Sequence, residues 1–119
     1  MGYRIDYILR GATLAAVVKG RSSLSHAAWI AQDIAEQAAR HAVRRLLIDL
    51  RGLADRVGSL GALLVPPASL ERRRVAVLDV QEYDRYYVFP ESAVRARGGS
   101  LRRFASPDDA LDWLGERRR

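Results

Sequence analysis

Two histidines, two aspartates in apolar strands and one serine among glycines are the residues of this chain whose side-chain chemistry could do work. His26 and His41 stand near the two ends of one helical pattern. Fifteen residues at 1.5 Å each separate them by ~22 Å, too far to share a metal or act as a dyad. A lone histidine at a helix end reads as a solvated or cap-associated group. Asp49 and Asp79 fall in or at the ends of two apolar strands. Adjacent carboxylates there could share a proton, with one pKa raised; the simpler reading makes them acceptors for loop or helix amides, and we adopt it. Ser59 sits in Asp55-Arg56-Val57-Gly58-Ser59-Leu60-Gly61. A phosphate on Ser59 would bring nearly two negative charges to a helix N-terminus beside Arg56. The structural alternative is that Gly58, Ser59 and Gly61 are small residues that let a helix pack closely on a sheet. Arg51, Gly52, Asp55, Arg56, Gly58 and Ser59 together form the candidate partner or anion surface.

The elements that must position these groups follow from periodicity. Tyr3 to Leu9 alternates, Arg10-Gly11 turns, and Ala12 to Lys19 is a second run rich in small and β-branched residues, an antiparallel hairpin. After Gly20 to Ser23, Ser23 or Ser25 caps a helix whose Ala27, Ile30, Ile34, Ala38 and Ala42 make one apolar stripe. Trp29 points ~100° away from that stripe and is expected to be partly exposed. The strand Arg45 to Leu50 runs into a glycine-spaced turn and a helix from about Ala54 to Val65, with Leu53, Val57, Leu60 and Leu64 on one face and Pro66-Pro67 as its stop. Val75 to Val80 is another buried strand. In Gln81 to Arg97, Pro90 suits the first turn of a helix that stops at Gly98-Gly99; helicity before Pro90 is left open. Leu101 to Phe104 is a short edge strand carrying Arg102 and Arg103. Ser106-Pro107-Asp108-Asp109 starts a last helix that buries Ala110, Leu111 and Leu114, with Trp113 capping the core. The order is ββαβαβαβα: a single α/β domain over residues 1–119, with a mixed five-stranded sheet opening on an antiparallel hairpin and about four helices. Open α/β sheets bind beyond the carboxyl ends of their strands, so the working surface is expected after Leu50.

Composition narrows the classes further. The 119 residues contain no cysteine, which excludes disulfides, thiolate catalysis and cysteine-ligated zinc or iron–sulfur sites. No metal, cofactor or catalytic set is expected, and the chain is read as a non-enzyme. The net charge of +6 invites a nucleic-acid reading. All but one of the 20 basic residues are arginine; they are scattered, without the aromatic interleaving of stacking platforms, so nucleic acid is an unlikely partner. The N-terminal Tyr3-Arg4-Ile5-Asp6 has charges where an export signal needs an apolar run, and no segment approaches the ~20 apolar residues of a membrane span. A cytoplasmic location is the expectation.

Leu46-Leu-Ile-Asp-Leu-Arg-Gly52, Arg74-Val-Ala-Val-Leu-Asp79, Ala93 to Gly98 and Leu101-Arg-Arg-Phe-Ala-Ser-Pro-Asp-Asp-Ala-Leu-Asp-Trp-Leu114, in this order of elements, resemble the SpoIIAA-like branch of the STAS superfamily over nearly the whole chain. The terminal Phe-x-Ser-x-x-x-Ala-x-x-Trp-Leu pattern is the most specific part. The resemblance implies a compact four-helix, mixed-sheet domain that binds partners or small ligands and does not usually catalyse. It also implies a counterpart for the serine that a partner kinase phosphorylates in the anti-sigma-factor antagonists. Ser59 is the nearest match, although the Asp-Ser-Ser-Gly turn of those proteins is incomplete here.

A second surface is proposed by aromatics. Tyr83, Tyr86, Tyr87 and Phe89 are four rings within seven residues, too many to face inward from one short element. They suit a protein interface, including a homodimer contact, or the wall of an apolar groove; equally, they could cover an open sheet edge. The expected activity is therefore regulatory binding of a protein partner, itself included. The alternative is a small carrier of an apolar or anionic, lipid-type ligand held between the Leu53 to Leu64 helix and the aromatic segment.

Overall fold

Tyr3–Arg10 (β1) and Thr13–Arg21 (β2) form an antiparallel hairpin in which each residue of β1 has a partner, from Tyr3 with Gly20 to Arg10 with Thr13. The computed structural model describes residues 2–21, 24–54, 72–80, 95–96 and 98–115. Leu24–Arg40 (α1) carries the chain from β2 to Arg45–Ala54 (β3); Arg74–Leu78 (β4), Ser100–Phe104 (β5) and Pro107–Leu114 (α2) follow. The sheet order is β1-β2-β3-β4-β5, with every pair after the hairpin parallel. The mixed five-stranded sheet expected from the sequence is therefore present.

Alternation along the strands builds two unequal cores. Leu14, Ala16 and Val18 of β2, Leu46, Ile48 and Leu50 of β3, and Val75 and Val77 of β4 face Ile30, Ile34 and Ala38 of α1, all of them buried. Those three helix residues recur at i, i+4 and i+8 and so form one stripe. Trp29, off the stripe, is 55% exposed, as its angle requires. On the other face Ala76 and Leu78 meet Ala110 and Leu114 of α2, with Leu47, Phe104 and Trp113 packed against them.

Local chemistry sets the helix ends. Ser106 caps α2, with its Oγ accepting from the Asp109 N–H at 3.5 Å; Pro107 opens the helix and Gly115 closes it at φ 81°. Helix α1 ends differently from the stripe read in the sequence. Ala42 lies beyond the helix, exposed, at φ 53°. Its N–H donates to Ala39 O, and the Val43 N–H reaches Ala38 O at 3.2 Å, a Schellman closure with alanine where glycine is usual.

Two further corrections concern the middle of the chain. The strand expected to stop at Leu50 continues to Ala54, so Arg51 and Gly52 are strand residues and Leu53, read as the first apolar position of a helix, is buried in the sheet. Pairing with β2 continues past a bulge, where β3 takes three steps from Asp49 to Gly52 against two from Val17 to Lys19, after which Lys19 pairs with Gly52, Gly20 with Leu53 and Arg21 with Ala54. Gly52 serves close approach: a Cβ there would stand 3.2 Å from Lys19 Cγ. The second correction is to helix number and order. Among the described residues there are two complete helices rather than about four, besides the helical pair Arg95 and Ala96, and the complete elements run ββαβββα rather than ββαβαβαβα. The remainder of the helix expected to Val65, and most of the segment from Gln81 to Arg97, lie outside the described residues. Arg95 and Ala96 are helical, and the Gly98 N–H donates to Arg95 O with φ at 83°, a helical turn ending where Gly98-Gly99 was read as a stop.

Candidate functional site

At the carboxyl end of β3 the strand reaches past its neighbour: its register with β4 ends at Asp49 and Leu78. Asp49 and Arg51, two residues apart, point to the same side of a strand, and there they clamp each other. Arg51 Nε donates to Asp49 Oδ1 at 3.0 Å, Nη2 to Oδ2 at 2.9 Å, and the Arg51 backbone N–H also reaches Oδ1 at 3.0 Å. This bidentate geometry is the strongest form of the pair. Burial would raise the Asp49 carboxyl, but the hydrogen bonds from Arg51, its charge and then that of Lys19 outweigh it and hold the group below the ordinary aspartate value. Arg51 is shifted upward by the same bonds.

Asp79 has a different task. It is fully buried at the end of β4; its Oδ1 accepts the Val80 N–H at 2.9 Å, its own N–H donates to Phe104 O at 3.0 Å, and its carbonyl accepts from Arg103 Nη1. Strand alternation puts Leu78 with Asp49 on one face and turns Asp79 away. The two carboxylates share no site, and amide acceptance is the role they perform. His41 is exposed just after α1. His26 is on α1. Among the described residues no three histidine, aspartate or glutamate side chains are grouped to hold a metal ion, and no helix is long and apolar enough to cross a membrane.

Of the sequence-derived surface, Arg51 and Gly52 are thus located, both exposed. Asp55, Arg56, Gly58 and Ser59 lie outside the described residues, as do Tyr83, Tyr86, Tyr87 and Phe89. Several arginines turn out to be structural. Arg73 Nε donates to Val43 O at 3.1 Å, and Arg74 Nε to Trp113 O at 2.8 Å while its guanidinium lies 4.1 Å from the Trp113 ring centroid. Arg102 stacks over Phe104 at 5.6 Å.

Sequence reasoning missed a groove of about 450 Å³ on the α2 side of the sheet. Ile8, Ala15, Val17, Leu47, Leu78 and Leu111 are its apolar lining, with Arg10 and Thr13 at the hairpin end and the Asp49–Arg51 clamp at the other. Leu111, expected in the core, is half-buried there. The signal was present in β2 and β3, which are apolar at both parities, so that one face must lie over α1 and the other must find cover elsewhere.

No protein-family model matches the chain, and none of the curated proteins does. Solved structures do. An anti-sigma factor antagonist from Mycobacterium paratuberculosis superposes with a TM-score of 0.68 at 16% identity, over 95% of this chain and 94% of that one. The antagonist SpoIIAA in its unphosphorylated form gives 0.64 at 16% identity, over 98% and 99%. An uncharacterised protein with a SpoIIAA-like fold from Shewanella loihica PV-4 gives 0.52 at 23% identity, over 95% and 94%. The chain has the SpoIIAA-like α/β fold.

Proposed function

We propose that this chain is a non-catalytic regulatory module that binds a protein partner at the carboxyl end of β3. The observation that carries this reading is the similarity of fold, over nearly the full length of both chains, to anti-sigma factor antagonists. One of these, SpoIIAA, has also been solved in a phosphorylated form. Ser59 is the residue through which a phosphate would change the contact, with Arg51, Gly52, Asp55, Arg56 and Gly58 around it. The charge balance supports that assignment. Asp49 already neutralises Arg51, which leaves Arg56, three residues from Ser59 in sequence, as a cation for an added phosphate. The aromatic residues Tyr83, Tyr86, Tyr87 and Phe89 supply the second contact, including one between two copies of the chain.

Comparative capture with wild type, Ser59→Ala and Ser59→Asp tests the switch. The expected result is a partner retained by Ser59→Ala and lost or exchanged by Ser59→Asp. Identical partner profiles for the three overturn it. Light scattering on the eluting protein tests self-association, which a monomer mass at high concentration overturns.

A further inference from the structure

Helix α2 covers the sheet face opposite α1 chiefly at its β4–β5 side, through Ala110, Leu114 and Trp113, with Leu47 of β3 at the margin of that contact. Toward β1 and β2 the face is less covered: Ala15, Val17 and Leu47 are half-buried and Ile8 is 46% exposed. The groove in this open area has unlike ends. At the hairpin end Arg10 and Thr13 are register partners, which places their side chains together on one face. Thr13 is only 3% exposed, and its Oγ1 is buried without a hydrogen-bond partner. A buried hydroxyl left in that state is uncommon and costly. Arg10 is exposed and makes no ion pair among the described residues, whereas Arg4 is held by Asp6 at 3.3 Å and Arg51 by Asp49 at 2.9 Å. The far end is therefore self-neutralised. Among the described lining residues, Arg10 at the hairpin end is the cation without an ion pair, and it stands beside the unpartnered Thr13 hydroxyl with an apolar floor leading away from them.

We propose that this groove binds a monoanionic amphiphile, an alkyl carboxylate, with its head between Arg10 and Thr13 and its chain along β2 toward Val17. A carboxylate has lone pairs for a bidentate guanidinium and one more for a hydroxyl donor, which is what the two side chains supply. The one unpaired cation among the described lining residues matches one negative charge. From Thr13 to Val17 the strand advances ~13 Å at about 3.3 Å per residue, room for a medium-length alkyl chain. The groove volume of about 450 Å³ falls within the usual range for small-ligand sites. The head-group residues Arg10 and Thr13 lie apart from Ser59 and from the residues assigned to the partner surface.

The test is calorimetric titration of the full chain with decanoate, with decan-1-ol as the uncharged chain and inorganic phosphate as the chainless anion, together with amide NMR shifts to locate binding. Decanoate is expected to bind once, shifting Thr13, Ala15, Val17 and Leu47, with the alcohol and phosphate each at least ~10-fold weaker. Arg10→Gln, at an exposed position, is expected to weaken decanoate ~10-fold without changing decan-1-ol. Thr13→Val is expected to weaken decanoate ~3-fold while raising the melting temperature of the unliganded protein, because it removes the orphaned hydroxyl. A purely structural threonine would not move those two readouts in opposite directions. No binding of decanoate, equal binding of decanoate and decan-1-ol, or Arg10→Gln titrating like wild type overturns the proposal.

Discussion

The two faces of the sheet are made by the same strands and finished to different degrees. Against α1, residues from three strands and the helix are sealed: Leu14, Ala16, Ile30, Leu46 and Val75 are all at or below 1% exposure. Against α2 the covered part lies chiefly on the β4–β5 side, and the same β2 and β3 present half-buried Ala15, Val17 and Leu47 one residue out of phase. Stability is expected to reside in the first face and recognition in the second. Apolar area that remains exposed over central strands contributes little to folding and is available to a ligand.

The largest test of this contrast is a pair of neighbours in β3. Leu46→Ala should cost ~3 kcal/mol, since it opens a cavity in a sealed core, whereas Leu47→Ala on the open face should cost about 1 kcal/mol. Urea denaturation reads both, and equal losses would break the distinction between the faces. Next in size is the pH dependence of the clamp at the end of the groove. Asp49 is held below its ordinary value, so its contribution is full above the unfolded pKa of ~3.9 and disappears as pH falls through the lower folded value. Asp49→Asn should cost about 1 kcal/mol at neutral pH, modest because Arg51 is partly solvated, and the gap to wild type should close in acid. A constant gap from pH 7 to pH 2 would show that the pair contributes nothing through its charge.

Helix ends sharpen the comparison at smaller scale. Ala42→Gly, at the left-handed position closing α1, should stabilise the sealed side by about 1 kcal/mol by relieving an unfavourable alanine conformation. A lower melting temperature would contradict the closure described for α1. Ser106→Ala should remove the cap of α2 at a cost of ~0.5 kcal/mol, at the weak end for such caps given the 3.5 Å bond. Exchange of the helix amides from Asp108 to Leu114 measures it, with Leu101 and Val77 expected to be unaffected.

The legible parts of this fold were those with a strong local period or a local hydrogen bond. Ile30, Ile34 and Ala38 declare their helix face by spacing, and Ser106-Pro107-Asp108-Asp109 declares a helix start through capping and dipole chemistry, whatever surrounds it. Gly52 misled because glycine in an isolated segment reads as a turn, while here it lets β3 pass close to Lys19. Of the candidate site, Arg51 and Gly52 are exposed within β3, where the sequence reads a turn, and the Asp49–Arg51 clamp went unseen. Arg10 and Thr13 gave no signal, since a charged residue and a threonine flanking a turn are ordinary.

Chain order alone, with apolar alternation and capping residues, was enough to establish a mixed sheet led by an antiparallel hairpin, because those forces act within a few residues of one another. How far β3 extends, which face α2 leaves open and which arginines are already paired depend on strand register and on contacts between residues distant in sequence. One extra residue of β3 opposite Val17 to Lys19 moves pairing for everything beyond it, and no local pattern records that shift.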